Sequence, residues 1–291
     1  MRHRSSGHAP WLVLLCALVL CGACGSQTDE NAPRAWMGVT PSQKSAEAGA
    51  PIELGYHLSL IPNAAPLPGT TWVFVHMIDA SGTLLWTDDH ALPPIEGASV
   101  MYRRTMFVPR IPYTGRVRVE AGLYSRDTGE RMVLTGVDRG GHAYDVAAFD
   151  MRPASNAVFV SFGDGWHGAE RDAGEAAHEW RWSTGDARVS FRNPGRDVTL
   201  WLELDQPVTA VGKQTVEVRA GSELLATLAV TPATRRIERV PVPAGRMGSA
   251  ATLDLDLHVR PTFVPATTAG LNSQDTRELG VRVFNVHVGV P

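Results

Sequence analysis

The sequence predicts an all-β protein built as two consecutive antiparallel β-sandwich domains behind a secretory leader. Three observations predict it. Apolar and polar residues alternate over most of the chain at the two-residue period of a half-buried strand. Turn-forming stretches such as "DASG", "RDTGE", "RNPGRD" and "RAGS" separate these runs at short intervals. Helical periodicity is almost absent, and 291 residues, less a leader, suit two domains. Many short strands joined by such turns belong to Ig-like or jelly-roll-like sandwiches.

At the N-terminus Arg2 and Arg4 precede the apolar run "WLVLLCALVL" and the small-residue stretch "CGACG", the series of a cleaved signal peptide. The run is shorter than the roughly 20 apolar residues that span a membrane. Gly22, Ala23 and Cys24 resemble the lipobox of bacterial lipoproteins. The resemblance implies a signal over residues 1–23, an acylated Cys24, and a membrane partner reached through that acyl anchor. With Gly25 following the cysteine it points to the outer membrane. A plain cleaved signal is the alternative. All three cysteines, Cys16, Cys21 and Cys24, lie inside or at the end of this leader, so a mature chain beginning at an acylated Cys24 has no free thiol for a disulfide, a zinc site or nucleophilic catalysis.

Removing residues 1–23 takes away two arginines and no acids, which leaves 25 basic and 30 acidic side chains and a formal charge of −5. No basic run is present to track phosphates, so nucleic acid is not an expected partner.

Residues 24–36 read as the lipidated cysteine and a polar tether. The first sandwich is expected over 37–150 and the second over 155–291, with a composition break at "MRPASNA" between them. Within the first, "RVRVEAGLY" places Val117, Val119, Ala121 and Leu123 on one face of a strand and Arg118 and Glu120 on the other. Within the second, "DVTLWLEL" does the same with Val198, Leu200, Leu202 and Leu204, and "TLDLDLHV" with Leu253, Leu255, Leu257 and Val259. In the last strand, "VRVFNVHV", the apolar phase changes between Val283 and Phe284, which predicts a bulge or burial on both faces.

Gly163, Gly165 and Gly168 satisfy the G-x-G-x-x-G spacing of dinucleotide-binding folds, after the apolar run "AVFVSF". That fingerprint needs an amphipathic helix to follow, and then a parallel strand ending in an acid. The segment "AERDAGEAAHEW" carries Gly174 and no apolar stripe at helical spacing. The glycines are therefore expected to form a tight loop opening the second domain, and no cofactor is expected.

In the first domain "IELGYHLSL", "WVFVHMIDASGTLLWTDDH", "YRRTMFVP" and "GLYSRDTGERMVL" resemble the soluble β-sandwich module of membrane glycosyltransferases that use lipid-linked sugars. In the second, "GDGWHGAE", "EWRWS", "SFRNPGRD", "FVPA" and "DTRELGVRVFNVHV" resemble the module paired with it in an uncharacterised family of exported bacterial proteins. The resemblance covers nearly the whole mature chain. It implies an envelope module associated with glycans and without the membrane-embedded catalytic part.

Trp166, His167, Glu170, His178, Trp180 and Trp182 are concentrated in one stretch. Indole faces with acids and imidazoles beside them suit a pyranose, which has an apolar face and a rim of hydroxyls. The same spacing also suits packing, because Trp180 and Trp182 share one strand face with Arg181 opposite. Asp275 and Arg277 are expected to stitch a loop to a strand as a hydrogen-bonded pair. His76, Asp79, Asp88, Asp89 and His90 are oxygen and nitrogen donors near one hairpin, but their spacing matches no metal motif, and no metal is expected. Asp254, Asp256 and His258 share one strand face but are too far apart for one ion. No G-x-S-x-G, H-E-x-x-H or phosphate-loop lysine occurs.

The expected function is a non-catalytic envelope lipoprotein, a glycan-binding or accessory module in polysaccharide assembly or export, whose partner is a polysaccharide or an assembly protein. Its rivals are a module that pairs its sheet edges with a partner chain and a carboxylate- or metal-dependent hydrolase.

Overall fold

The computed structural model describes residues 31–154, 158–172, 179–232 and 235–289. The leader, Cys24, the tether as far as residue 30, and His178 lie outside the described residues. In chain order the strands of the first part are β1 (Ala35–Pro41), β2 (Ser45–Glu47), β3 (Pro51–Leu60), β4 (Thr71–Ile78), β5 (Leu84–Thr87), β6 (His90–Ala91), β7 (Ser99–Phe107), β8 (Gly115–Ser125), β9 (Arg131–Met132), β10 (Leu134–Thr135) and β11 (Tyr144–Arg152). Those of the second are β12 (Val160–Phe162), β13 (Glu170–Arg171), β14 (Glu179–Trp182), β15 (Asp186–Arg192), β16 (Val198–Asp205), β17 (Gln214–Ala220), β18 (Glu223–Val230), β19 (Arg236–Val242), β20 (Thr252–Arg260) and β21 (Arg282–Gly289). Among the described residues the only helical elements are three short 3-10 turns.

Among the described residues the strands of each part pair only with one another. The first part stacks a sheet of order β10-β1-β3-β7 on a sheet of order β2-β11-β8-β4-β5, with β6 and β9 as short additions to β4 and β8. The second stacks β12-β15-β20-β17-β18 on β13-β14-β21-β16-β19. The alternation read from the sequence supplies both cores. Val117, Val119, Ala121 and Leu123 of β8 are fully buried with Leu54, Val75 and Phe149. Leu200, Leu202, Leu204, Leu255, Leu257 and Val259 are fully buried in the second part. Each such aliphatic side chain contributes roughly 1.5–3 kcal/mol by leaving water.

Most pairings are antiparallel, as expected, but two short ones are parallel: β1 with β10 and β2 with β11. Their cause is a crossing near the N-terminus. Residues 42–44 carry the chain from one sheet of the first sandwich to the other, so β1 runs between β10 and β3 in one sheet while β2 forms the edge of the other beside β11. The bulge expected near Phe284 is present, because the β16–β21 register shifts where Glu203 opposes Asn285 and Leu204 opposes Val283.

On the outer face of the second sandwich, Asp254, Asp256 and His258 are taken up by cross-strand partners on β15. Ser190 donates to Asp254 (2.6 Å), Arg188 to Asp256 (2.7 Å), and His258 lies 2.5 Å from Asp186. Hydrogen bonds from His258 and Arg260 hold the Asp186 carboxyl below the usual range. Pairs of this kind across a sheet are the ordinary way a charged strand face is stabilised.

Candidate functional site

The aromatic stretch of the second domain is mostly occupied by internal contacts. Trp180 and Trp182 lie on β14 with Arg181 between them, and both are buried, at 9% and 8% exposure, against Phe263 and Leu279 in a small core of their own. Arg282, bidentate to Asp205 at 2.8 and 2.6 Å, places its guanidinium 4.9 Å from the Trp180 ring centroid and 5.9 Å from that of Trp182. Neither indole offers a face to a sugar.

Trp166, His167 and Glu170 are half-buried and stand near one another. The Trp166 indole N–H donates to the Arg188 carbonyl at 2.7 Å, and its ring meets Phe162 edge-on. His167 Nε2 lies 2.8 Å from the Glu278 carbonyl. Arg277 donates to Glu170 at 2.7 Å and also grips Asp275, whose carboxyl it holds down at about 2. The Asp275–Arg277 pair therefore stitches its loop to β13, as the spacing suggested. Gly165 forms the tight turn expected of the glycine run. Its φ is +80°, and a Cβ there would lie 1.9 Å from the Asp186 carbonyl oxygen, so only glycine fits.

The donors near the first-domain hairpin diverge. Asp88 receives two 2.8 Å hydrogen bonds from Arg104. His90 is buried with Nδ1 2.8 Å from the Asp88 carbonyl and Nε2 2.8 Å from the Tyr102 hydroxyl, and burial lowers its pKa. Asp89 accepts from the Val75 N–H at 3.0 Å and stands 4.0 Å from His76. Asp79 caps its own turn through Ser81 and Thr83. Among the described residues no group of three histidines or carboxylates is placed to hold a metal ion.

A cleft lies where the two sandwiches meet, and none of the sequence-predicted site residues lines it. A cleft of about 430 Å³ is lined by Gln43, Ser45, Glu47 and Arg152 from the first sandwich and by Trp201, Arg239 and His287 from the second. Ligand pockets begin at about 300 Å³. Strand alternation places these side chains. Ala46 and Met151 turn inward on β2 and β11, which sends Ser45, Glu47 and Arg152 outward, with Glu47 and Arg152 in register. On β16 the buried Leu200 and Leu202 send Trp201 outward, directly opposite Arg239 on β19 and His287 on β21. The three form one row across the outer face of the sheet.

Arg239 holds its guanidinium 5.4 Å from the Trp201 ring centroid, in cation–π range. Burial lowers the His287 pKa, Arg110 adds to the effect and Glu47 opposes it. The shift favours the neutral imidazole, which has one ring nitrogen to donate and one to accept. The arrangement is half an aromatic platform and half a polar rim. A tryptophan on the polar side of the alternating run "DVTLWLEL" was the available signal, but the other lining residues are far away in the chain.

No family model matches the chain, and no curated protein matches it. Among solved structures it is similar to the CARDB domain of the PF1109 protein from Pyrococcus furiosus, at 13% identity and a TM-score of 0.28, over 44% of this chain and 100% of that one. It is similar to carbohydrate-binding module CBM36 in complex with calcium and xylotriose, at 10% identity and 0.26, over 45% and 93%. It is also similar to the C-terminal CBM6 of LamC from Zobellia galactanivorans, at 12% and 0.26, over 46% and 99%. Likeness at this level carries no argument about function, which has to come from the site.

Proposed function

We propose that this chain is a non-catalytic glycan-binding module of the bacterial cell envelope, anchored through an acylated Cys24 and holding polysaccharide in the cleft between its sandwiches. The observation that carries this reading is the row formed by Trp201, His287 and Arg239 facing Glu47 and Arg152 across the cleft. It combines an indole surface for a sugar's apolar face with donors and acceptors for its hydroxyls.

A binding role fits the cleft better than hydrolysis. Glycoside cleavage takes two carboxyl groups flanking the bond, and Glu47 is the only acid among the described residues lining the cleft. Ser45 and His287 also line it, but among the described hydrogen bonds none joins them.

The test is retention of the full-length protein, in mild detergent, on immobilised envelope polysaccharides, with Trp201→Ala as the comparison. The reading expects retention by the wild type, loss in a folded Trp201→Ala, and no release of reducing ends. Retention unchanged in that variant, or turnover of the glycan, contradicts it. The anchor is tested separately. Metabolic labelling with a fatty acid is expected to mark the wild type and not Cys24→Ser.

A second reading rests on β7, a nine-residue strand at the edge of its sheet with Met101 77% exposed. Such an edge accepts a partner's strand. Cross-linking from β7 that captures one stoichiometric protein, with cleft variants silent, favours it over the glycan reading.

A further inference from the structure

The charges of the cleft go beyond what a neutral sugar requires. Two guanidinium groups line it, Arg152 on the wall of the first sandwich and Arg239 on the wall of the second, against the single carboxylate of Glu47. A third cation, Arg110, is close enough for its charge to act on His287. Neighbouring arginines are neutralised by acids, as Arg235 is by Glu203 and Arg236 by Glu238. Among the described residues Arg152 and Arg239 have no such ion pair, and Arg239 rests over the Trp201 ring instead. The local excess of positive charge runs against the whole mature chain, whose formal charge is −5. Planar guanidinium groups that are free of carboxylate partners match the geometry of an external carboxylate or sulfate.

Resting on the proposed glycan reading, we infer that the cleft selects an anionic sugar, with the acidic substituent held by Arg152 and Arg239 while the sugar ring lies on the face of Trp201 away from the Arg239 guanidinium. The shared chemistry is a sugar carrying a negatively charged group, whether a uronic acid carboxylate or a sulfate ester. Bonds of this kind to a charged group are worth enough to give about a tenfold preference over the uncharged counterpart. The preference should shrink as salt rises, because screening shortens the reach of charges to about 3 Å at about 1 M.

The experiment measures binding of full-length protein in mild detergent to three probes: an oligouronate, the same oligosaccharide after reduction of its carboxyl groups, and a sulfated oligosaccharide. The double variant Arg152→Gln, Arg239→Gln is run beside the wild type. Both side chains are exposed, so the variant is expected to fold, and a thermal melt checks it. The expected result is about tenfold tighter binding of at least one anionic probe than of the reduced one, with that preference lost in the double variant and weakened by salt. The arm that binds identifies the anion. Equal binding of all three probes overturns the anion inference and leaves the cleft reading standing. No binding of any probe by a folded wild type overturns the cleft reading itself.

Discussion

Trp201 and His287 stand directly opposite one another on β16 and β21, and Trp201 Nε1 and His287 Nε2 each lie 3.6 Å from where a Cβ on Gly289 would sit. The absence of a side chain at 289 keeps the floor between two hydrogen-bonding nitrogens open. Gly289→Leu should fill that floor, since its Cβ would sit at ordinary contact distance and the rest of the side chain extends from an outward-facing position of β21. The expected outcome is a loss of glycan affinity of about tenfold or more with stability changed by about 0.5 kcal/mol or less. Affinity electrophoresis together with a thermal melt checks both halves.

The tryptophans of the second domain should separate by their effect on stability. Trp182→Ala leaves a hole between Phe263 and Arg282 and should cost about 3–5 kcal/mol. Trp201→Ala removes a half-buried outward ring and should cost about 1 kcal/mol. Urea unfolding of the two variants measures the difference, and equal losses contradict the assignment of one ring to the core and the other to the cleft.

Asp205 and Arg282 form a pair that is mostly out of water, with side-chain exposures of 10% and 21%. Asp205→Ala strands a guanidinium among Trp180, Trp182 and Phe284, and breaking such a pair on one side costs about 3 kcal/mol. A melt that moves by no more than that of a surface variant argues that water replaces the carboxylate.

Stability should depend on pH in two stages. His76, His90 and His287 are all held below the ordinary value of 6.5, with burial the leading cause in each. The unfolded chain therefore takes up protons that the folded chain refuses. Their contribution is fully present above pH 6.5 and is lost as pH falls from there toward the folded values. Asp79, Asp138, Asp186 and Asp275 are held below 3.8 by their hydrogen bonds, so a second loss begins as pH falls through that value. Denaturant midpoints between about pH 7.5 and about pH 3 should decline with acidification in both ranges. A midpoint unchanged between about pH 7 and about pH 5.5 contradicts the histidine assignments.

The strands were legible because strand periodicity is local. In β8, β16 and β20 the apolar residues at every second position are buried, and the phase change at Phe284 marks a bulge. The crossing of the N-terminal strand between sheets was not legible, since it depends on which distant edge β1 and β2 join. The same limit hid the site. Trp180 and Trp182 stand close together in the sequence, yet their shared face is the inner one. Trp201 is an isolated tryptophan among polar neighbours of one strand face, and it becomes part of a cleft only because residues 43–47 and 152 are brought opposite it by the meeting of two domains. Density of aromatic residues reports burial as readily as it reports a binding surface.

The central claim is that glycan occupies the cleft at Trp201, and the indole N–H signals of the full-length protein in detergent, followed by NMR during titration with a bound oligosaccharide, test it most directly. The account predicts that the Trp201 signal shifts in proportion to occupancy while those of Trp180 and Trp182, buried in the small core, stay in place. A titration in which the Trp166 signal moves and that of Trp201 does not contradicts the account and returns the site to the "GDGWHG" loop.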